Sequence, residues 1–270
     1  MIQPKYHLTL NRDTDWNMNK PHFHEDVEIL LSLSASGEFF IENELYPIRE
    51  GSLFLLSEAT IHKSIAKESY LRYVLHIPPE TLRYFSTKYS DIPAFVHKAP
   101  VRCTVLEKAQ MEMLSEKFKM LEGAWGTVFC ADLQKTMFFM DALLQVLTFF
   151  TVAEPENKIQ TADLNQIAPI LNYIQSSVGD QMTLDTLAER FFISKYYMCH
   201  CFKNATGLSI MDYIINCRIL KARELLRQGF RVQEVSDRVG FRNNAHFVRT
   251  FGTLTGVSPK QYAKKYVDLQ

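Results

Sequence analysis

The chain has 270 residues, 47% of them hydrophobic, and its 30 Lys and Arg are balanced by 30 Asp and Glu. This length and composition favour two domains, each with its own buried core. The neutral total hides a split, because residues 1–160 carry 16 basic and 21 acidic side chains whereas residues 161–270 carry 14 and 9. The basic second half favours contact with a polyanion, with ordinary solvated faces as the alternative.

Two classes of protein are disfavoured by the composition. Five cysteines, an odd number, argue against a secreted disulfide scaffold and for reduced thiols. The first residues lack the pattern of a signal peptide. The most apolar stretch, residues 128–152, is interrupted by Asp132, Lys135 and Asp141, which leaves uncharged runs too short to span a bilayer. We therefore expect a soluble, cytoplasmic protein with no membrane partner.

The first part of the chain, residues 6–77, alternates apolar and polar side chains between turn signals, as short antiparallel strands do. Val27, Ile29, Leu31 and Leu33 share one predicted strand face, and residues 42–44 form a plausible hairpin turn. Further strands are predicted at residues 39–41, 45–48, 52–56 and 71–77. Many short strands in a segment of this length predict a small β-barrel or sandwich.

After residue 79 the apolar spacing becomes helical, and helices are predicted at residues 80–87, 107–121 and 131–151. The 131–151 helix is apolar over most of its circumference. Either it packs against its own barrel, or it forms the seam of a homodimer. Residues 153–163 are polar and contain Pro155, which predicts a linker between domains at 1–152 and 164–270.

The last hundred residues contain one pattern twice, about 49 residues apart, at residues 183–204 and 231–253. Each copy predicts a helix-turn-helix. Two copies are too few for a stacked solenoid, so the pattern favours a paired module. A long amphipathic helix that ends near Gly229 connects the two copies and fixes the distance between them.

In the first copy, Thr183 and Ser194 are predicted to cap the two helices. Met198 and Phe202 lie on one face of the second helix and Phe247 and Phe251 do the same in the second copy, which leaves an opposite face free to enter a major groove. The predicted DNA-contacting residues are Ser194, Lys195, Tyr196, Tyr197, Cys199, His200, Lys203, Arg242, Asn243, Asn244, Ala245, Val248 and Arg249. Arg190 is a further candidate for a phosphate contact, and Arg249 is best placed to read guanine.

These residues resemble the signature of AraC/XylS-type transcription regulators. The resemblance is carried by Ile193-Ser194, Met198, Phe202-Lys203, Thr206-Gly207, Tyr213, Arg218, Ala222, Leu225-Leu226, Val235, Gly240-Phe241, Phe247, Arg249, Phe251, Thr255-Gly256, Ser258-Pro259 and Tyr262. It implies a seven-helix domain with two helix-turn-helix motifs that binds double-stranded DNA, and usually transcriptional activation, with RNA polymerase as a possible further partner. The chain departs from the family at residues 252–254 and at Ala263, where basic residues are usual; Lys260, Lys264 and Lys265 are the expected substitutes.

The predicted barrel carries a second group of polar residues. His22, His24 and Glu28 have the same parity, so on one strand they would share a face, and His62 follows later. This pattern resembles the metal-binding motif of cupins, although Ser57 and Ala59 replace residues usual before the last histidine. Sensing domains of AraC-like proteins typically hold a small molecule, often a sugar, in such a barrel.

Three interpretations of these four residues remain open. They line an effector pocket, which we favour, or they bind a divalent metal, or they are structural histidines. No nucleophile, base and orienting group occur together, so no enzymatic activity and no cofactor are predicted. The sequence thus predicts an N-terminal cupin-like barrel with appended helices, a C-terminal all-α DNA-binding domain, and an effector-controlled activator. The alternatives are a metal-dependent cupin enzyme or metal sensor fused to a DNA-binding module, and a regulator whose barrel serves only as a dimerisation scaffold.

Overall fold

The computed structural model describes residues 3–13, 24–35, 37–58, 60–65, 69–99, 101–123, 129–152, 154, 156 and 158–267. The first part of this chain is built around two β-sheets and the second part is entirely helical. The predicted fold class, an N-terminal β-domain followed by a helical domain with two helix-turn-helix motifs, is confirmed.

The β-domain contains two antiparallel sheets that face each other, and we call this pair the barrel. The strands are β1 (His7–Asp13), β2 (Val27–Ser32), β3 (Glu38–Ile41), β4 (Glu44–Pro47), β5 (Ser52–Leu56), β6 (His62–Ile65), β7 (Tyr70–Ile77) and β8 (Cys103–Val105). The larger sheet has the order β1-β7-β2-β5-β8, and the smaller has the order β4-β3-β6. Aromatic rings fill the space between them, where the ring centroids of Phe39 and Phe54 are 4.7 Å apart.

Strand alternation gives the larger sheet two different faces. Ile29 and Leu31 of β2 pack outward into a core that the helices of this domain cover. Leu30 of β2 and Val74 of β7 point inward, toward Phe39 of the smaller sheet. The predicted shared face of Val27, Ile29 and Leu31 is present, and it covers the outside of the barrel rather than its interior.

Four helices complete this domain: α1 (Pro79–Phe85), α2 (Ile92–Lys98), α3 (Lys108–Glu122) and α4 (Ala131–Val152). The sequence predicted three of them and missed α2 together with strand β8. Helix α2 has only 7 residues, and it is capped by Asp91, whose carboxylate accepts a hydrogen bond from the backbone N–H of Ala94. A proline in its first turn makes so short a segment hard to distinguish from a loop.

Helix α4 is long and apolar enough to cross a membrane by length and composition alone. The sequence predicted this helix at residues 131–151, and Asp132, Lys135 and Asp141 were counted only against a membrane span. Six of its side chains are buried in the outer core of the barrel: Phe139, Ala142, Leu143, Val146, Phe149 and Phe150. Helix α4 therefore occupies the position of a core helix in a globular domain.

The second part of the described chain forms seven helices: α5 (Ala162–Ser176), α6 (Leu184–Arg190), α7 (Lys195–Thr206), α8 (Ile210–Arg227), α9 (Val232–Arg238), α10 (Asn244–Thr255) and α11 (Pro259–Val267). The predicted caps Thr183 and Ser194 are present, since each side chain accepts a backbone N–H at a helix start, and Asn243 caps α10 in the same way. Helices α6–α7 and α9–α10 form the two helix-turn-helix units, and α8 connects them.

The smaller sheet belongs to both parts of the molecule. Its inner face, with Phe39, lines the barrel. Its outer face carries Phe40 and Leu45, which are buried in the same hydrophobic cluster as the side chains of α5, α7 and α8. At one edge, the hydroxyl of Tyr213 donates to the Asn43 side chain at 2.9 Å. The core of the first helix-turn-helix unit is thus completed by a wall of the barrel.

Candidate functional site

Three residues of the predicted effector set meet at one end of the barrel. Glu28 lies on β2 and His62 begins β6. His24 lies three residues before β2, whereas the sequence pattern predicted it on the same strand as Glu28. Nε2 of His24 is 2.7 Å from a carboxylate oxygen of Glu28, and Nε2 of His62 is 3.2 Å from the same oxygen. The fourth predicted member, His22, lies outside the described residues. We call His24, Glu28 and His62 the histidine cluster.

The backbone fixes the orientation of both imidazole rings. Nδ1 of His24 is 2.8 Å from the carbonyl oxygen of Asp26, and Nδ1 of His62 is 2.9 Å from that of Thr60. A carbonyl oxygen only accepts, so each Nδ1 carries a proton and donates it. Both Nε2 atoms are therefore directed at Glu28, which is almost fully buried.

The electrostatics of the cluster centre on Glu28. Burial alone would raise the pKa of its carboxyl, but the charge of His62 and hydrogen bonds from both histidines outweigh burial and hold the pKa well below its usual value. Burial lowers the pKa of His24, but the hydrogen bond to Glu28 and its charge more than reverse this, so the pKa of His24 is raised. The site thus maintains a buried carboxylate beside imidazole donors.

Two further polar residues of the barrel interior were missed by sequence reasoning. His76 on β7 pairs with Glu28 across the sheet, its ring centroid is 4.6 Å from that of His24, and burial lowers its pKa to about 4. Arg72, on the same strand face, is fully buried, and its guanidinium lies over the ring of Tyr70. The alternation of residues 70–76 was the signal that could have placed both inside the barrel.

The first helix-turn-helix unit exposes the predicted face of α7. The exposed members of the predicted set are Ser194, Lys195, Tyr196, Tyr197, His200 and Lys203. Cys199 is only half-buried and packs at the margin of the hydrophobic cluster, so it offers less surface than predicted. Lys195 forms an ion pair with Asp185 at 2.6 Å, and Arg190 lies over the ring of Tyr173. The free face is rich in hydrogen-bonding groups, as base readout requires.

The second unit presents a smaller surface on α10. Arg242, Asn243, Ala245 and Arg249 are exposed, whereas Asn244 and Val248 are half-buried. Nε of Arg242 donates to the side chain of Gln181 at 2.6 Å. Of the two arginines, Arg249 therefore has the side chain that is less engaged with other residues.

Two exposed aromatic residues in the reading units were not predicted. His246 is exposed on α10 and contacts the ring of Phe241. Phe192 is 95% exposed in the turn before α7, and its φ of 54° is left-handed. The corresponding turn of the second unit has Gly240, with a φ of 79°. The signal in the sequence for this residue was that the first copy of the repeat has Phe at a position where the second copy has Gly.

Two protein-family models match the chain. A model described as "AraC-like ligand binding domain" matches residues 7–119, and a model described as "Helix-turn-helix domain" matches residues 187–265. The first covers the barrel, and the second covers both reading helices.

Curated relatives match almost the whole length. The transcriptional activator RhaR of Pectobacterium carotovorum is 24% identical over 259 residues, which cover 92% of this chain and 87% of that protein. The melibiose operon regulatory protein of Escherichia coli is 21% identical over 257 residues, 92% of this chain and 84% of that protein. Among solved structures, ToxT of Vibrio cholerae is 15% identical and covers 96% of both chains with a TM-score of 0.38.

The two family models define the protein as a DNA-binding regulator of transcription and not an enzyme. It belongs to the AraC family, with an N-terminal AraC-like ligand-binding domain and a C-terminal helix-turn-helix domain. The resemblance seen in the sequence is confirmed.

Proposed function

We propose that this regulator activates transcription as a homodimer in response to a polar small molecule bound at the histidine cluster, with the domain division at residues 153–163 predicted from the sequence. The observation that carries the proposal is a buried carboxylate beside two imidazoles, inside a domain that shares a wall with the first reading unit. A cytoplasmic location and RNA polymerase as a further partner belong to the same proposal.

The chemistry of the cluster favours an effector with several hydroxyl groups. Glu28 accepts hydrogen bonds and both imidazoles offer Nε2, so the cluster supplies donors and an acceptor within a few ångströms of one another. The ring of Phe39 lies 5.8 Å from that of His62 and provides an apolar face beside these groups. One relative is named for the melibiose operon. Together these features support a sugar as the effector.

Thermal unfolding of the full chain with melibiose and with other mono- and disaccharides tests this proposal. An effector that binds the native state raises the melting temperature in a concentration-dependent way. The Glu28→Gln variant should lose most of that shift, whereas Glu112→Gln, at an exposed site on α3, should keep it. Equal shifts in both variants would exclude the cluster as the binding site.

A metal-responsive regulator is the second candidate, and the orientation of the imidazoles favours it. The ligand atoms of His24, Glu28 and His62 all lie within 4.8 Å of one another. Metal-bound histidines usually donate the other ring N–H to a carbonyl or carboxylate, as both do here. Imidazole and carboxylate ligands suit zinc and related divalent ions. Calorimetric titration with Zn²⁺ alone, on the full chain and on His24→Ala, separates this candidate from the sugar.

The paired module supports binding to two successive major grooves on one side of the duplex. The recognition helices α7 and α10 begin at capped N-termini and are joined by the single helix α8, so one chain can span half-sites about 34 Å apart. Titration of the full chain with duplexes that carry direct repeats at different spacings tests this geometry. Affinity that does not depend on the spacing would contradict it.

The outer face of α4 supports a homodimer. Leu133, Met137 and Leu144 form an exposed apolar row at heptad spacing, and Met137 is 71% exposed. Beside the row lies a groove of about 510 Å³ whose apolar lining includes Phe85, Phe95 and Leu147. A ridge and a groove on one surface are what two identical copies need to pack about a two-fold axis.

A further inference from the structure

The segment of residues 57–65, of which Ala59 lies outside the described residues, contacts three parts of the molecule, and we call it the connecting segment. Because β6 alternates, His62 faces the barrel interior and Lys63 faces the helical domain. Ile61 is buried in the cluster that forms the core of the first reading unit. One short piece of chain therefore lies between the histidine cluster and the DNA-binding domain.

Lys63 contacts the end of the first recognition helix. Its ammonium donates to the carbonyl oxygen of Gly207, the residue that caps the C-terminus of α7. Carbonyl groups at a helix C-terminus have no partner within the helix and carry partial negative charge, so a lysine stabilises them. The lysine that makes this contact belongs to the other domain, and its side chain is largely buried. The carbon of a side chain at Gly207 would lie 2.8 Å from the ammonium, so the contact is tight.

Glu58 contacts helix α8 at the end that leads into the second reading unit. Its two carboxylate oxygens lie 3.2 and 3.4 Å from the guanidinium nitrogens of Arg227, near the end of α8. Nε of Arg227 donates to the hydroxyl of Tyr262 at 2.9 Å. The ring of Tyr262, on α11, packs against Phe251 of the recognition helix α10. The connecting segment thus reaches both recognition helices, one directly and the other through an arginine and a tyrosine.

We propose that the connecting segment transmits ligand binding at the histidine cluster to the two DNA-reading units. It does so through two contacts, that of Lys63 with the C-terminal end of α7 and that of Glu58 with α8. The proposal rests on the proposed function of His62 as a contact for the effector. A ligand that draws His62 toward it pulls on β6, the edge strand of the smaller sheet, which is hydrogen-bonded to β3. Lys63 and Glu58 then lose their contacts with the helical domain at the same time, and the C-terminus of α7 loses the lysine that stabilises it. The arrangement in which both contacts are formed and the arrangement in which both are broken are the two states that such a coupling requires.

A double-mutant cycle in the full chain tests this coupling without an identified effector. We expect His62→Gln to raise amide hydrogen exchange by about 5-fold or more in the last turn of α7 and the residues that follow it, 203–208, since couplings of this kind are typically of that size. Lys63→Met should do the same. In the double variant the effect of His62→Gln should disappear, because the contact that transmits it is already absent.

Two controls separate coupling from general destabilisation. Lys158→Met removes an exposed ion pair with Glu44, and its cycle with His62→Gln should be additive. Lys63→Arg keeps a cationic donor and should restore most of the protection of α7 that Lys63→Met loses. If His62→Gln does not fold, Glu28→Gln replaces it in the same cycle, because Glu28 holds the His62 ring.

Additive effects of His62→Gln and Lys63→Met, or unchanged exchange in α7, would overturn the proposal. This outcome is distinct from failure of the proposed function. If no sugar or metal binds but the cycle is non-additive, the coupling stands and the effector assignment falls. If a ligand binds at the cluster and the cycle is additive, the effector assignment stands and the coupling falls.

Discussion

Both recognition helices end at a glycine in the left-handed conformation, but the two glycines have different surroundings. Gly207 has a φ of 68° and Gly256 has a φ of 75°. Around Gly256 an added side-chain carbon would meet nothing within 4 Å, whereas at Gly207 it would meet the ammonium of Lys63. The pair therefore separates the cost of the backbone conformation from the cost of disturbing the contact between domains.

We expect Gly256→Ala to lower the free energy of unfolding by about 1–2 kcal/mol, the cost of a left-handed conformation for a residue with a side chain. Gly207→Ala should cost more, and it alone should increase hydrogen exchange in α7 by displacing Lys63. Chemical denaturation of both variants measures the first effect. If both variants lose the same free energy of unfolding, displacement of Lys63 does not destabilise the protein.

The two reading faces differ in their side chains, and this predicts different roles. Arg249→Ala should cost about 1–3 kcal/mol of binding free energy and relax the preference for guanine at one position of the site, because a bidentate arginine contact is lost. His200→Ala should relax the sequence preference at a position in the other half-site. Competition binding with singly substituted duplexes measures both effects. Identical patterns of lost discrimination would contradict the division of the two faces.

Sequence reasoning was most successful at residues whose role is local. Thr183 and Ser194 were predicted as caps because a cap depends on the next three residues of the chain. His76 was missed because its position beside Glu28 follows from the pairing of β7 with β2, which lie far apart in the sequence. The register between such strands is fixed by tertiary packing and not by either strand alone.

At the scale of elements, strand β3 serves two cores through adjacent residues. Phe39 and Phe40 are both fully buried, but Phe39 packs inside the barrel and Phe40 packs among the helices of the DNA-binding domain. Each phenylalanine replaced by alanine should cost about 3–5 kcal/mol. Only Phe40→Ala should loosen the attachment of the helical domain to the barrel.

Calorimetry tests this difference. We expect Phe40→Ala to split thermal unfolding into two transitions, because the helical domain then unfolds separately from the barrel. Phe39→Ala should lower the melting temperature while both domains still unfold together. A single transition in Phe40→Ala, at the same temperature as in Phe39→Ala, would mean that the shared core contributes little to the coupling.

The outer face of α4 provides the prediction for assembly. Met137→Glu and Leu144→Glu should dissociate the homodimer, because a carboxylate buried in an apolar seam is left without a partner. Met120→Glu, at a 53% exposed position on α3, is the matched control. Sedimentation equilibrium measures the dissociation constant of each variant. A wild-type monomer at micromolar concentration would contradict the proposed dimer.

For the whole molecule, the division into two charged halves predicts how DNA binding depends on salt. We expect a fragment of residues 158–270 and the full chain to show similar, steep losses of affinity as salt rises, because the phosphate contacts lie in the basic half. The fragment should nevertheless melt at a lower temperature, since it lacks Phe40, Leu45 and Ile61 from its core. A fragment as stable as the intact chain would contradict a shared core.

The organisation into a barrel and a paired reading module was predictable because both rest on periodic patterns within continuous stretches of chain. The dependence of one domain on the other was not. Phe40 and Phe39 look alike in the sequence, and nothing local indicates that one of them belongs to a core formed mainly by residues more than a hundred positions later. The hydrophobic cluster of the helical domain contains residues from both sides of the predicted boundary at 153–163.

The shared wall has a consequence for synthesis on the ribosome. The barrel emerges first, and Phe40, Leu45 and Ile61 face solvent until α5, α7 and α8 have been made about 150 residues later. At about 5–20 residues per second this interval lasts about 8 to 30 seconds. During that time the nascent chain exposes an apolar sheet surface in a crowded cell. We expect chaperones to bind a nascent chain that is stalled after the N-terminal half, and to be released once the helical half is complete.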